Sequence, residues 1–264
     1  MAPHSANCGA LTFRLPSADK HTITRQKGNT ATVPNPRHPI LPRLSRWLGF
    51  LLVPLLLGAG ITDQWDITTQ QLDKISARFG EPAKTKIVAW QELIQRYKSV
   101  PEKDKLERVN HYFNQMRFTS DMQVWGVDDY WATPVEFLIA GAGDCEDFSM
   151  AKYFTLKAMG VPVERMRLTY VKATQPGLTV RAHMVLSYFP DPEAEPWVLD
   201  NLIDEIKPSS QRQDLLPVYS FNGDGLWLAK QRGQGQRVGD ASRLSLWSGV
   251  AQRMQNLLGR LIDD

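Results

Sequence analysis

The chain has 264 residues, 42% of them hydrophobic and 22% charged, values that exclude wholesale disorder, a collagen-like repeat and a polytopic membrane protein. Residues 1–60 contain seven of the 31 basic residues but only one of the 28 acidic residues. The rest therefore has 24 basic and 27 acidic residues, a net charge of −3 within a whole-chain charge of +3. This balance argues against nucleic-acid binding by bulk charge.

An uncharged segment spans residues 47–62, with Arg43 and Arg46 just before it. It is shorter than the roughly 20 residues that a membrane-spanning helix needs. A basic flank, a short apolar stretch and small residues at its end are typical of a secretory signal peptide. Residues 43–62 are therefore predicted to be a signal peptide. An uncleaved membrane anchor is the alternative, and Pro54 argues against a buried core helix.

Residues 1–42, rich in Pro, Ser, Thr and Arg, show no periodicity and are interpreted as a disordered extension or an incorrectly assigned start. Of the two cysteines, Cys8 lies in this extension and would be lost on processing. The exported body would then contain Cys145 alone, which cannot form an internal disulfide. A lone thiol in an oxidising compartment is a liability unless it is buried or has a function.

The first half of the body is predicted to be helical. Apolar residues recur at helical spacing in ITTQQLDKISARFG, which Gly80 ends, in KIVAWQELIQRYKSV, which Pro101 ends, and in KDKLERVNHYFNQM. Residues 118–143 lose this period and are interpreted as loops and turns around a helical piece, PVEFLIA. Residues 145–159 predict a further helix, since Gly160 fits the position that follows a helix end.

The second half is predicted to be a sheet followed by a helix. Residues 232–240 are interpreted as a flexible loop, and residues 241–262 as an amphipathic helix. Helices followed by a sheet indicate an α+β fold, with one domain over residues 63–231 and the loop and C-terminal helix over 232–264. Three segments rich in Val, Leu, Tyr and Trp are the strand candidates: 166–173, 182–189 and 196–202.

Common catalytic motifs are absent from the sequence, which has no GxxxxGK[ST], HExxH, GxSxG or CxxC. Cys145 lies in GAGDCEDFSMAKYF, where Asp144 suits the N-cap and Cys145 the first helical position. The positive end of the helix dipole lowers the pKa of a thiol placed there and favours its nucleophilic form. A small, buried, apolar thiol is the alternative interpretation.

Two histidines remain as candidate bases in the exported body, His111 and His183. His183 lies in a predicted strand and Asp200 in the next; a half-buried strand histidine with a backbone partner is the alternative. If Tyr188 pairs with Trp197, Asp200 lies diagonal to His183 on one face, whereas a slip of one residue moves it to the other face. His111 lies in a polar helix and is expected to support packing or to face solvent.

Three acids surround the cysteine: Asp144, Glu146 and Asp147. They can complement the helix dipole, yet three carboxylates beside a thiolate raise its pKa. A hard divalent cation such as calcium would remove that conflict, because it binds several carboxylates at flexible geometry. The spacing is not that of an EF-hand, so capping and metal binding both stay open at this point.

The stretch DDYWATPVEFLIAGAGDCEDFSMAKYFTLKAMGVP, with RAHMVLSYF and WVLDNL downstream, closely resembles the bacterial transglutaminase-like cysteine proteinases of the LapG type. The resemblance covers roughly residues 65–230 and implies a papain/transglutaminase-like fold, with the cysteine on a helix packed against an antiparallel sheet. It implies Cys145 as the nucleophile, His183 as the general base and acid, and Asp200 as the residue that orients the imidazole.

The same resemblance implies a calcium site at Asp144 and Glu146, and it is carried over to Asp147 as well. It implies a periplasmic endopeptidase that cuts a large surface adhesin near its N-terminus and releases cells from biofilm. An inner-membrane receptor that responds to cyclic di-GMP would hold such an enzyme inactive. The rival hypotheses are a transglutaminase, in which an amine takes the acyl group, and a non-catalytic calcium-dependent binding module.

Three aromatic residues precede the predicted active-site helix: Trp125, Tyr130 and Trp131. Exposed Trp and Tyr are favoured anchors in interfaces, so these residues are predicted to contact the receptor or the adhesin. The alternative is that they belong to the core. Trp125 and Tyr130 are also candidates for a second oxyanion-hole donor beside the Cys145 backbone N–H.

Overall fold

The computed structural model describes residues 66–174, 180–228 and 235–255. The described residues form these α-helices: α1 (Thr69–Phe79), α2 (Glu81–Tyr97), α3 (Glu102–Asn114), α4 (Asp121–Val124), α5 (Pro134–Ala140), α6 (Cys145–Ala158) and α7 (Ser245–Gln255). They form these strands: β1 (Arg117–Phe118), β2 (Ala142–Gly143), β3 (Met166–Ala173), β4 (Arg181–Tyr188), β5 (Trp197–Leu199), β6 (Lys207–Pro208), β7 (Leu215–Asn222), β8 (Gly225–Leu228) and β9 (Gln236–Gly239).

The signal or anchor prediction for residues 43–62, and the interpretation of residues 1–42, lie outside the described ranges. Within those ranges, no helix combines the length and the apolar character that crossing a membrane requires.

Seven strands form one antiparallel sheet in the order β6-β5-β4-β3-β7-β8-β9, and β1 and β2 form a short parallel pair. In the chain, helices α1 to α6 come before every strand of the seven-stranded sheet, and the short strands β1 and β2 lie among these helices. The α+β fold predicted from the sequence is therefore confirmed.

Helix α6 lies between the seven-stranded sheet and the other helices of the described residues. It packs against β3 and β4 on one side and against α3 and α5 on the other. Every one of its side chains except that of Lys157 is buried, as expected of a helix covered on all faces. Gly160 follows with φ of 82°, a left-handed conformation that glycine adopts without steric penalty.

The register of β4 and β5 decides where the candidate base and acid lie. Tyr188 pairs with Trp197, and Leu186 pairs with Leu199. This is the register for which the sequence analysis places Asp200 diagonal to His183. Strand β5 is shorter than predicted, since it ends at Leu199 and Asp200 follows it directly.

The region after residue 202 departs most from the sequence-based prediction. Strands β7 and β8 were not predicted, and residues 236–239, expected in a flexible loop, form β9 by pairing with β8. Residues 241–243 form a 3₁₀ turn, so the last helix begins at Ser245. The Gln-Arg-Val-Gly sequence of β9 has no strand pattern of its own; pairing to a neighbouring strand gives it this conformation.

Candidate active site and metal site

The start of α6 presents the candidate nucleophile. Cys145 is the first residue of the helix, and Asp144 is its N-cap. The Asp144 carboxylate accepts a hydrogen bond from the Glu146 N–H at 3.2 Å, and the Asp147 carboxylate accepts one from the Asp144 N–H at 3.4 Å. A side chain at Gly143 would collide with the Asp147 carboxylate, so glycine is required there. The predicted helix start is confirmed.

The Cys145 sulfur lies against β4, at a point where this strand is no longer paired with β5. The β4–β5 pairing ends at Leu186 and Leu199. Two residues earlier, the Met184 N–H donates to Sγ at 3.3 Å. A carboxylate oxygen of Glu146 lies 2.8 Å from the same sulfur. The sulfur is thus placed beside the residue that follows His183 in β4.

The other cysteine of the chain, Cys8, lies outside the described residues. The expectation of a single cysteine applies to a processed body, not to the full chain. Nucleophilic attack by Cys145 requires its sulfur as a thiolate, the form of cysteine that acts as a nucleophile.

His183 and Asp200 form a buried pair. Nε2 of His183 lies 2.8 Å from Oδ1 of Asp200, and their side chains are 4% and 0% exposed. The Leu202 N–H donates to the same oxygen at 3.0 Å. Because Nε2 faces the carboxylate, Nδ1 is the ring nitrogen on the side of the imidazole away from Asp200.

A buried arginine, which the sequence analysis did not identify, completes this side of the site. Nη2 of Arg212 donates to Oδ2 of Asp200 at 2.6 Å and also to Oδ2 of Asp214 at 2.8 Å. Burial by itself raises the pKa of Asp200. The hydrogen bond and charge of His183, with the charge of Arg212, outweigh burial and hold that pKa well below its usual range. Asp200 is therefore ionised at neutral pH.

Three carboxylates converge on the other side of the helix start. Asp121, Asp144 and Asp147 each offer an oxygen, and these oxygens lie within 4.8 Å of one another. The β1–β2 pair brings them together, since the Thr119 N–H also donates to the Gly143 carbonyl at 2.8 Å. Asp121 was missed because this proximity depends on pairing between segments distant in the chain.

We call Asp121, Asp144, Glu146 and Asp147 the acidic cluster. Burial, followed by the charge of Asp144, raises the pKa of Asp121 to about 7. Burial raises the pKa of Asp144 to about 6 and those of Glu146 and Asp147 well above their usual range. Oδ1 of Asp121 and Oε1 of Glu146 are buried and accept no hydrogen bond from the described residues. Buried, unpaired carboxylate oxygens fit the needs of a hard divalent cation.

The loop before α5 holds the acidic cluster in place. The Tyr130 N–H donates to Asp121 at 2.7 Å, and the Ala132 N–H donates to Asp147 at 2.8 Å. Helix α7 supports this loop through Arg253, whose guanidinium lies 4.7 Å from the centre of the Tyr130 ring. The last described helix is thereby linked to the candidate metal site.

The three aromatic residues before α6 and His111 complete the comparison with the sequence-based predictions. The prediction of an exposed anchor is wrong for Trp131, which is 3% exposed and stacks on Phe221. Trp125 and Tyr130 are half-buried and pack against each other. The side chain of His111 is 63% exposed, as expected for a residue outside the site.

The family model of the bacterial transglutaminase-like cysteine proteinases matches residues 83–224. The EGTA-treated structure of Legionella pneumophila LapG is 43% identical, covers 71% of this chain and 98% of that chain, and has a TM-score of 0.62. The calcium-bound LapG structure is also 43% identical, covers 71% and 99%, and has a TM-score of 0.60. A search of curated proteins found no match.

Proposed function

We propose, since this chain belongs to the bacterial transglutaminase-like cysteine proteinase family, that it is a calcium-dependent endopeptidase of the periplasm. Its proposed substrate is the N-terminal region of a large surface adhesin, whose cleavage releases the adhesin and disperses biofilm. An inner-membrane receptor for cyclic di-GMP is the proposed inhibitory partner. The observation that best supports peptidase chemistry is the buried His183–Asp200 pair beside a cysteine at a helix N-terminus.

The proposed reaction begins with the reduced enzyme. His183 takes the thiol proton of Cys145, and the thiolate attacks the carbonyl carbon of the scissile peptide bond. A bond forms between sulfur and carbon, and the carbonyl electrons move to oxygen. When the tetrahedral intermediate collapses, the C–N bond breaks and His183 gives its proton to the leaving amine.

The second half of the reaction restores the enzyme. His183 takes a proton from a water molecule as its oxygen attacks the thioester carbonyl, and the C–S bond then breaks to release the carboxylic acid product. His183 returns its proton to the Cys145 sulfur, which restores the thiol. Asp200 keeps the imidazole oriented throughout and stabilises its charged form. The Cys145 N–H lies at the first position of α6, where amides are not needed for hydrogen bonds within the helix. It is the proposed first donor to the oxyanion.

The proposed calcium ligands are Asp144 and Asp147, with Asp121 added from the geometry of the cluster. Glu146 stays a proposed ligand, and its carboxylate contacts both the Cys145 sulfur and the Asp144 carboxylate. Bound calcium would supply positive charge that compensates the acidic cluster beside the thiolate. The acids themselves cap α6 and fix the loop before α5, which sets the direction of Cys145.

The decisive experiment uses a Cys8→Ala background, in which Cys145 is the only cysteine. The protein and its Cys145→Ala variant are incubated with a purified N-terminal adhesin fragment, with calcium or with a chelator. Calcium-dependent cleavage by the Cys145 protein alone is the expected result. No cleavage of any adhesin fragment by the folded, calcium-loaded protein would contradict the proposed substrate.

Two further readouts separate the rival functions. A fluorescent primary amine tests for acyl transfer: its incorporation without cleavage would indicate a transglutaminase. Iodoacetamide tests for a reactive thiol at neutral pH. A folded, calcium-binding protein in which Cys145 resists alkylation would indicate a non-catalytic binding module.

A further inference from the structure

We propose that Arg212 is a positioning residue of this active site, which fixes the Asp200 carboxylate in the orientation that holds His183. The proposal rests on the proposed peptidase function and extends it by a fourth residue.

The two oxygens of Asp200 have separate partners. Oδ1 accepts from His183 and from the Leu202 N–H, whereas Oδ2 accepts from Nη2 of Arg212 at 2.6 Å. Among the described residues, Arg212 is the one hydrogen-bond donor to Oδ2 that the structure gives. Without Arg212 the carboxylate loses a charged donor and can rotate about its Cβ–Cγ bond. Rotation would carry Oδ1 away from Nε2 of His183.

Arg212 is itself held rigidly. Its side chain is 3% exposed, and its Nε and Nη2 both donate to Asp214, at 3.0 and 2.8 Å. Its N–H donates to the carbonyl of Ser209, and its carbonyl accepts from the Leu215 N–H, both at 3.0 Å. A planar guanidinium can serve two carboxylates at once, which the point charge of a lysine does less well.

The permanent positive charge of Arg212 also matters for the proposed reaction. During the proposed reaction His183 alternates between neutral imidazole and imidazolium, so its charge is not constantly available to Asp200. Guanidinium stays protonated at any working pH. A buried carboxylate without a permanent cation beside it tends to protonate instead. Arg212 thus keeps Asp200 ionised at the stage when His183 is neutral.

The test compares Arg212→Met, Arg212→Lys and Asp214→Asn in the Cys8→Ala background. Arg165→Met is the matched control, because Arg165 pairs with Glu102 at 3.0 Å outside this network. For each folded variant we would measure kcat, KM and the rate of Cys145 alkylation by iodoacetamide. Circular dichroism and thermal unfolding report folding.

We expect Arg212→Met to lower kcat roughly 10- to 100-fold, as when the hydrogen-bonded support of a site residue is removed. KM should be unchanged, since Arg212 is not proposed to bind substrate. Arg212→Lys should recover part of the lost kcat, Asp214→Asn should lose less than Arg212→Met, and Arg165→Met should match the parent. Alkylation should slow in the same order.

The proposal is overturned if Arg212→Lys and Asp214→Asn both keep the parent kcat and alkylation rate while Asp200→Asn loses them. That criterion holds even if Arg212→Met does not fold. Should the parent cleave no peptide, the proposed function fails, and the alkylation rates still decide the role of Arg212. Unchanged alkylation in folded Arg212 variants would then contradict it.

Discussion

The site contains two groups of buried carboxylates, one beside His183 and one at the start of α6, and their pKa values shift in opposite directions. On one side, Asp200 lies between His183 and Arg212, and its pKa is well below the usual range. On the other side, the acidic cluster has raised pKa values and two buried oxygens that accept no hydrogen bond from the described residues. Both sides are built into the same protein core.

This difference shows which buried carboxylates are compensated by a positive charge of the protein itself. A buried ion pair needs no added cation, because the arginine is part of the fold. Four neighbouring carboxylates remain ionised together at neutral pH only with a cation from outside. The His183 side thus contains its own compensating cation, whereas the proposed calcium ion would compensate the acidic cluster.

The largest effect is expected from removing residues of the proposed triad. Cys145→Ala and His183→Ala should abolish cleavage, because residues that act as one unit lose most activity when any is removed. Asp200→Asn should lower kcat by about 10⁴, as the corresponding change does in serine proteases. Cleavage of a peptide substrate is the measurement.

His111→Ala is the control for these variants, since its side chain is exposed and pairs with Asp204. It should keep nearly full activity. A folded His111→Ala protein without activity, together with an active His183→Ala protein, would reverse the assignment of the base.

The next largest effect is expected from the acidic cluster. Chelation should abolish proteolysis without unfolding the protein, and added calcium should restore it. Magnesium should restore it poorly, because it demands a tighter octahedral geometry. Asp121→Ala and Asp144→Ala should mimic chelation, which calorimetric calcium titration beside a cleavage assay would measure.

If the acids only cap the helix, Asp144→Ala should lower the free energy of unfolding by about 0.5–2 kcal/mol with no ion dependence. Asp121→Ala distinguishes the capping role from calcium binding, because Asp121 lies outside α6 and cannot cap it. Full activity in excess chelator, with no heat of binding, would favour the capping role.

A smaller effect is expected on stability as a function of pH. The pKa of Asp121 is raised to about 7 and that of Asp144 to about 6, so between pH 5 and 7 the folded chain binds more protons than the unfolded chain. Stability in chelator should therefore fall as pH rises through this window, by roughly 1–3 kcal/mol. Urea unfolding at pH 5 and pH 7 measures it.

Calcium should remove most of this pH dependence by stabilising the ionised carboxylates at pH 7. Asp121→Asn should reduce it in chelator, since one of the titrating groups is lost. The pKa of Lys152, which burial lowers to about 7, affects stability mainly above this window, where the folded and unfolded chains differ in the protonation of this lysine. Equal stability at the two pH values in chelator would mean that the carboxylates are already compensated.

The smallest effect is expected from helix α7. Besides its contact with Tyr130, Arg253 donates to the Trp131 carbonyl and lies 3.4 Å from the Glu136 carboxylate. Arg253→Met should loosen the loop that binds Asp121 and Asp147, and weaken calcium binding a few-fold. Arg165→Met is the control in the same calorimetric titration. Equal affinities for the two variants would show that α7 does not support the metal site.

Some elements could be predicted from the sequence because their causes are local. Helix α5 begins at Pro134 after the Thr133 cap, with Glu136 completing the capping box. Helix α6 begins at Cys145 for the same kind of reason, and its position fixes the candidate nucleophile. Capping and periodicity act within a few residues, so neighbouring sequence is enough to determine them.

Other features were decided only by the tertiary structure. The sequence left the strand register open, and the Tyr188–Trp197 pairing placed Asp200 on His183. Asp121 joins the acidic cluster through the β1–β2 pair, and Arg212 reaches Asp200 through the turn after β6. A lone Asp or Arg in a polar segment carries no local pattern. Its role comes from burial beside a charge that lies far away in the chain, and only folding creates that proximity.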